Sequence, residues 1–302
     1  MNELEMIRRI ASRAPRASGG VVVGIGDDCA VFRPSASRED LIFTTDMTIE
    51  RVHFLRETHP PEAVGWKTLA RGLSDIAAMG GVPRFCLLSL ALAPWTDQGW
   101  VDRFYRELLR LARQENVTLA GGDLARAEQV TADIVVCGSV PRGKALRRDG
   151  ARPGDQVFVS GRLGGSALGL ETRRGAAWAR HLRPEPRLAL GRYVREKLRA
   201  TACMDLSDGL SIDLHRLCMA SGCSAELDGT IPVQRGATLA QALDGGEDYE
   251  LLFTVRPRAV VPERFDKLAL TRVGTVRAGR PGLVEMGGKK LKAGGWDHFA
   301  RA

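Results

Sequence analysis

Apolar positions in the first half of the chain keep switching between two rhythms. Short β-branched runs at residues 21–25, 29–32 and 41–49 read as strands, broken by Gly-Asp-Asp and by a polar loop over 33–40. Residues 61–79 read as a helix, with Pro61 at its first position and Gly80-Gly81 as its stop. Val64, Leu69, Leu73, Ile76 and Ala77 recur there at helical spacing, and Asp75 falls outside that stripe. A continuous apolar strand over 85–93, an amphipathic helix over 97–114, a strand over 117–120 running into Gly-Gly-Asp, and a strand over 130–140 follow.

The turn cluster Gly-Ala-Arg-Pro-Gly-Asp at 150–155 interrupts this alternation. Beyond it come a strand over 156–159, a glycine-rich turn over 160–165 opening a helix, helices over 185–200 and Leu210–Ser221, and a strand over 249–255. The glycine-rich turn reads either as backbone amides free for a phosphate or as a tight turn. It matches neither the Walker nor the dinucleotide pattern. Asp208 or Ser207 can cap the helix that starts at Leu210. The alternation predicts an α/β chain, and 302 residues with 44% apolar content suffice for two domains, placed at 1–145 and 146–302.

No run of about eighteen apolar residues exists, so no membrane span is expected. The first ten residues read as an amphipathic helix without the order of a signal peptide, which makes cytoplasm the expectation. The six cysteines form no Cys-x-x-Cys pair and lie mostly in apolar runs, as buried reduced thiols do. The net charge of +8 suits an anionic ligand, but no helix-turn-helix, zinc-finger or aromatic RNA-binding signature accompanies it, so nucleic acid is not expected.

Six acidic motifs carry the chemistry. They are Gly-Ile-Gly-Asp-Asp (24–28), Thr-Thr-Asp (44–46), Ser-Asp (74–75), Gly-Gly-Asp (121–123), Met-Asp-Leu-Ser-Asp-Gly (204–209) and Gly-Gly-Glu-Asp-Tyr-Glu (245–250). Each alone reads as an ordinary turn. Together, several at strand ends, they suggest aspartates that converge. Two like charges about 4 Å apart repel by roughly 4 kcal/mol at an effective dielectric of about 20. Hard divalent cations relieve that repulsion through oxygen ligands, and Mg²⁺ commonly arrives with a nucleotide polyphosphate. From the residues alone, the chain reads as an α/β enzyme with an aspartate-lined Mg²⁺ site acting on phosphate. No Ser-His-Asp or Cys-His nucleophile system is evident. His53, in Val52-His53-Phe54, reads as structural or functional, and Trp296 as a core anchor.

In order, Gly-Ile-Gly-Asp-Asp-Cys-Ala-Val, Thr-Thr-Asp-Met-Thr-Ile-Glu-Arg-Val-His-Phe, Leu-Ser-Asp-Ile-Ala-Ala-Met-Gly, Ala-Gly-Gly-Asp, His-Leu-Arg-Pro-Glu-Pro-Arg, Met-Asp-Leu-Ser-Asp-Gly-Leu and Gly-Gly-Glu-Asp-Tyr-Glu-Leu resemble the thiamine-monophosphate kinase family. The match runs from about residue 20 to the terminal Trp-Asp-His-Phe. The resemblance implies a two-domain, mixed α/β (α+β) chain of the aminoimidazole-ribonucleotide synthetase-like fold. The N-terminal sheet domain would bind Mg-ATP and pair with a second copy, giving a homodimer. The C-terminal mixed α/β domain would complete the site. It also implies phosphorylation of thiamine monophosphate by ATP, with several Mg²⁺ ions and direct in-line transfer.

Position by position, Asp28, Thr44, Thr45, Asp46, Asp75, Asp123, Asp205 and Asp208 match the family's metal ligands, with Asp27 as a supporting neighbour. Gly122, Asp123, Arg148 and Ser207 match its ATP contacts. His53, Glu247 and Trp296 match the positions that hold thiamine monophosphate. Two departures stand out: Arg51 where the family often has Gly, and Leu124 where it usually has Thr. Selenophosphate synthetase, a sibling enzyme, uses a reactive Cys or selenocysteine in its N-terminal segment, and residues 1–20 here hold no cysteine. A nucleotide-binding dimer without turnover is the non-enzyme alternative; its support is Leu124, and the retained acids oppose it.

Overall fold

The computed structural model describes residues 3–15 and 18–299. The alternating first half forms one six-stranded sheet. Its strands are β1 (Val21–Val23), β2 (Ala30–Phe32), β3 (Glu39–Ile49), β4 (Val82–Leu92), β5 (Thr118–Arg126) and β6 (Thr131–Pro141). Their spatial order is β1-β2-β3-β6-β4-β5, with β4 and β5 parallel and the other neighbours antiparallel. α1 (Glu3–Arg13) precedes the sheet and buries no residue. α2 (Pro61–Ala78) and α3 (Gln98–Gln114) pack on each other, α2 against β3 and β6. Asp97 caps α3 by accepting from the Trp100 amide at 2.7 Å.

The second half adds a sheet of β7 (Gln156–Ser160), β8 (Ala202–Asp205), β9 (Ser224–Leu227), β10 (Leu251–Val255), β11 (Arg264–Phe265), β12 (Leu268–Arg277), β13 (Val284–Met286) and β14 (Lys289–Lys290). Its order is β14-β13-β9-β12-β7-β10-β8, with β11 paired to β12. Five helices belong to this half: α4 (Gly165–Thr172), α5 (Gly175–Leu182), α6 (Leu188–Tyr193), α7 (Leu210–Ser221) and α8 (Leu239–Asp244). α2 also meets α5, α6 and β8, so it lies between the two halves. Gly191 allows the closest of these approaches, because a Cβ there would overlap the Ala77 carbonyl. Nearly every α2 side chain is therefore buried, including Lys67 and Ser74.

Three boundaries differ from the sequence expectation, each for a local reason. Gly-Gly-Asp lies inside β5 rather than after it. Gly122 lets β5 run close to β4, where a Cβ would overlap the Leu88 carbonyl. The helix expected over 185–200 begins at Leu188, because Pro184 and Pro186 hold the residues before them extended. It then continues as a π-turn over Val194–Leu198. β10 starts at Leu251 rather than 249, because Glu247 and Tyr249 adopt left-handed φ of 66° and 49°. All six cysteines are buried and free, and no helix among the described residues is long and apolar enough to cross a membrane.

Candidate active site

A cavity of about 650 Å³ opens between the two halves. Asp46, Asp75, Arg148, Asp205, Ser207 and Asp208 line it, as do His53, Glu247 and Trp296. Its floor is acidic. β3 supplies Asp46, α2 supplies Asp75, and β8 ends on Asp205. Asp28, Asp75 and Asp205 each bring a carboxylate oxygen within 4.8 Å of the others. Ser74 donates to Asp205 at 2.6 Å, and Thr44 donates to Asp75. Arg148 grips Asp28 through two nitrogens, and its own amide donates to Asp27 at 3.2 Å.

This floor lacks enough positive charge. Burial, then Asp46, Asp205 and Asp28, holds Asp75 well above the ordinary carboxylate range. Burial, then Asp28, does the same to Asp205. Asp27 is pushed up to about 7 by burial and by Asp28. Asp46 is raised by burial although Arg71 donates to it at 3.3 Å. A set of oxygen donors with uncompensated charge fits a hard divalent cation such as Mg²⁺.

Toward α7 the pattern differs from the expected cap. Gly209 occupies the cap position, and the Asp213 carboxylate takes the amides of Asp208 and Gly209 at 3.0 and 3.1 Å. The Asp208 side chain is left to pair with Arg216. The glycine-rich turn before α4 is filled in a similar way: Asp248 accepts from the amides of Gly164 and Ser166. Those amides serve a carboxylate of the same chain, the tight-turn reading of that segment.

The opposite wall has another character. Glu247 lies against the buried Lys67 ammonium, which donates to its Oε2 at 2.8 Å. Burial pushes the Glu247 carboxyl up, but Lys67 and then His181 pull it down further, to about 2. His53 accepts from the Ile49 amide through Nδ1 at 3.0 Å, which leaves the proton on Nε2. Burial, then Arg71, lowers its pKa to about 3, so the ring is neutral. Trp296 is half exposed at the rim rather than a core anchor, with its amide bonded to the Asp208 carbonyl at 3.1 Å.

Thr45, Gly122 and Asp123 sit elsewhere in the chain. Thr45 turns to the outer face of the first sheet and donates to Asp133 at 2.7 Å. Asp123 lies on that same face, in the row Met47, Asp133, Ser89, Asp123. Three strand spacings separate β3 from β5, about 14 Å. The sequence reading also missed Lys67, Arg71 and His181. A signal for the first two was present: Lys67, Arg71 and Asp75 recur every fourth residue, a polar stripe on a helix that is otherwise buried.

Residues 26–140 match the family described as AIR synthase related protein, N-terminal domain. The chain is 37% identical to the thiamine-monophosphate kinase of Aquifex aeolicus over 297 residues, 91% of this chain and 92% of the relative. It is 36% identical to that of Escherichia coli K12, over 99% and 98% of the two chains. The solved structure described as "AaThiL complexed with AMPPCP and TMP" superposes with a TM-score of 0.86 at 34% identity, covering 99% of this chain and 97% of that one. The hydrogenase maturation protein HypE in complex with ATP shares the fold, with a TM-score of 0.67 at 17% identity over 83% of each chain.

Proposed function

The chain belongs to the thiamine-monophosphate kinase family, and on that premise we propose that its cleft transfers the γ-phosphoryl group of ATP to thiamine monophosphate, giving thiamine diphosphate and ADP. The observation that carries this reading is one cavity with two chemistries. Asp46, Asp75, Asp205 and Asp208 line it, and so do His53, Glu247 and Trp296. The first set suits polyphosphate held through cations. The second suits an amino-bearing, cationic aromatic.

A phosphate oxygen of the acceptor attacks the γ-phosphorus in line. The bond to the β-phosphate oxygen breaks as the new P–O bond forms, and no phosphoenzyme intervenes. That attacking oxygen is already anionic, so positioning replaces a protein base. Mg²⁺ ions, held by Asp28, Thr44, Asp46, Asp75, Asp205 and Asp208, would neutralise the phosphates, with Thr45 on the outer face left out of that set. Arg148, already oriented by Asp28, and Ser207 contact the nucleotide. Trp296 offers its face to the thiazolium or the pyrimidine. The His53 Nε2–H, without a partner among the described residues, donates to the acceptor.

Residues 1–145 and 146–302 act as two domains in this reading, and the first pairs with a second copy in the cytoplasm. The outer face of the first sheet is where pairing would occur, since Met47 and Leu87 stand exposed on it. A second copy there would deliver its own Gly122 and Asp123 to the cleft, which accounts for their distance from Asp46 within one chain.

The test is product analysis with purified protein, ATP, Mg²⁺ and thiamine monophosphate, omitting one component at a time. One thiamine diphosphate per ADP, abolished by EDTA, is expected. ADP without thiamine diphosphate would overturn the assignment of the acceptor.

A further inference from the structure

We propose that Lys67 is a positioning residue for the acceptor: its ammonium fixes the Glu247 carboxylate so that one oxygen faces the amino group of the acceptor's pyrimidine. This deepens the functional reading above and rests on it.

Lys67 is only 1% exposed, in the middle of a helix packed from both sides. A buried ammonium is costly unless paired. Its Nζ lies 2.8 Å from each Glu247 oxygen. Only Oε2 takes a well-directed hydrogen bond from it, while Oε1 is buried without a hydrogen-bond partner. The ammonium therefore clamps the carboxylate across both oxygens, while Glu247, 23% exposed, still lines the cavity and keeps accepting capacity toward it.

The wall behind this pair is rigid and neutral. The Leu55 amide donates to His59 Nδ1 at 3.2 Å, so His59 carries its proton on Nε2. That proton points to His181 Nε2 at 3.2 Å, which places the His181 proton on Nδ1, 2.8 Å from Ser166 Oγ. Trp178 stacks on His181, with ring centroids 5.1 Å apart at 10°, and meets His59 edge-on at 5.0 Å. Burial, then Lys67, lowers both imidazoles, His181 to about 3 and His59 to about 4. Lys67 is thus the full positive charge in contact with Glu247.

The backbone is fixed as well. Glu247 sits at φ 66°, a conformation a β-carbon disfavours, and its amide donates to the Ser207 carbonyl at 2.7 Å. Side chain and backbone together leave the carboxylate one orientation. A pair that served stability alone would need neither the strain nor a carboxylate that lines the cavity. Along α2, Lys67 and Asp75 lie two turns apart, about 12 Å. One rigid helix thereby spaces the acceptor wall from the acidic floor.

The experiment compares wild type, K67M, E247Q and K67M/E247Q by steady-state kinetics, and by acceptor binding without nucleotide, read by calorimetry. In K67M the acceptor KM should rise about tenfold while the ATP KM holds within about twofold. That KM should also become pH-dependent, rising as pH falls from about 8 to 6, because Glu247 then titrates without the ammonium, facing Arg71, Tyr249 and the imidazoles of His53, His59 and His181. Wild type should be flat there. Should K67M fold poorly, the double variant still decides, since it buries no lone charge. Its acceptor KM should equal that of E247Q. A further tenfold rise over E247Q, or a folded K67M with unchanged acceptor KM and a flat pH profile, would overturn the proposal alone. A wild-type enzyme that fails to phosphorylate thiamine monophosphate would overturn the functional reading and this proposal with it.

Discussion

Two groups of carboxylates line the cleft, and their acidities move in opposite directions. On the floor, burial and the neighbouring carboxylates hold Asp75 and Asp205 well above the ordinary carboxylate range. On the wall, Glu247 is partly buried and pulled down to about 2. The difference lies in how far the fold balances each: Arg71, Arg148 and Arg216 reach Asp46, Asp28 and Asp208, but among the described residues Asp75 and Asp205 have no ion pair. Lys67 accompanies Glu247 within the fold, while in the proposed function the floor takes its remaining charge from bound cations.

The contrast breaks most severely when a floor acid is removed. Asp75→Asn should cut turnover by roughly 10²–10³-fold or more while the protein keeps its fold, because the change also relieves repulsion. Near-native turnover with an unchanged melting temperature would refute the metal role of Asp75. Trp296→Ala should raise the acceptor KM about tenfold and leave the ATP KM nearly unchanged, since the ring lies at the rim, half exposed. An equal rise in both would remove Trp296 from the acceptor set.

Next in size is a linkage between pH, metal and stability. The unfolded chain loses its aspartate protons near the ordinary value of 3.8, whereas folded Asp27 keeps its own to about 7. Between those values the unfolded state binds fewer protons, so these groups cost stability as pH rises. Glu247 runs the other way: its contribution is complete above its ordinary value and is lost only as pH falls toward about 2. Without divalent ions, the floor should therefore cost stability from about pH 5 to 8. His53, His59 and His181, lowered to about 3 to 4, gain it as pH rises through their ordinary 6.5, so the Mg²⁺-dependent part of the melting temperature isolates the floor. Mg²⁺ should raise the melting temperature more at pH 8 than at pH 5. A uniform Mg²⁺ effect would contradict the charge assignment of the floor.

The smallest effect is expected at Leu124. Its backbone amide already holds Asp123 Oδ1 at 2.9 Å, a bond that Thr would keep. Leu124→Thr should change turnover by about twofold or less. A large gain would show that a hydroxyl is needed there.

Much of this was legible in the chain. Period and punctuation placed α2 and α3 nearly to the residue, because Pro61, Gly80 and the cap at Asp97 are local signals. The acidic motifs were legible as a set. Their grouping was not, since Asp28, Asp75 and Asp205 meet only through sheet order and the packing of α2 between two halves. Strand order also decides that Asp123 lies far from Asp46, and no spacing in the sequence carries it. The left-handed turns at Glu247 and Tyr249 were hidden because neither residue is glycine. Lys67 was hidden for a simpler reason: a lysine in an amphipathic pattern is read as solvated, and here the opposite face of its helix is covered too.

The most direct test separates floor from wall in one binding experiment. Mn²⁺ binding, measured by electron paramagnetic resonance with AMPPCP present, and thiamine monophosphate binding, measured by calorimetry, would be compared in Asp75→Asn and Glu247→Gln. Asp75→Asn should lose Mn²⁺ and bind the acceptor with nucleotide absent as wild type does. Glu247→Gln should keep Mn²⁺ and lose acceptor affinity. Loss of both ligands to the same degree in each variant would contradict the division of the cleft.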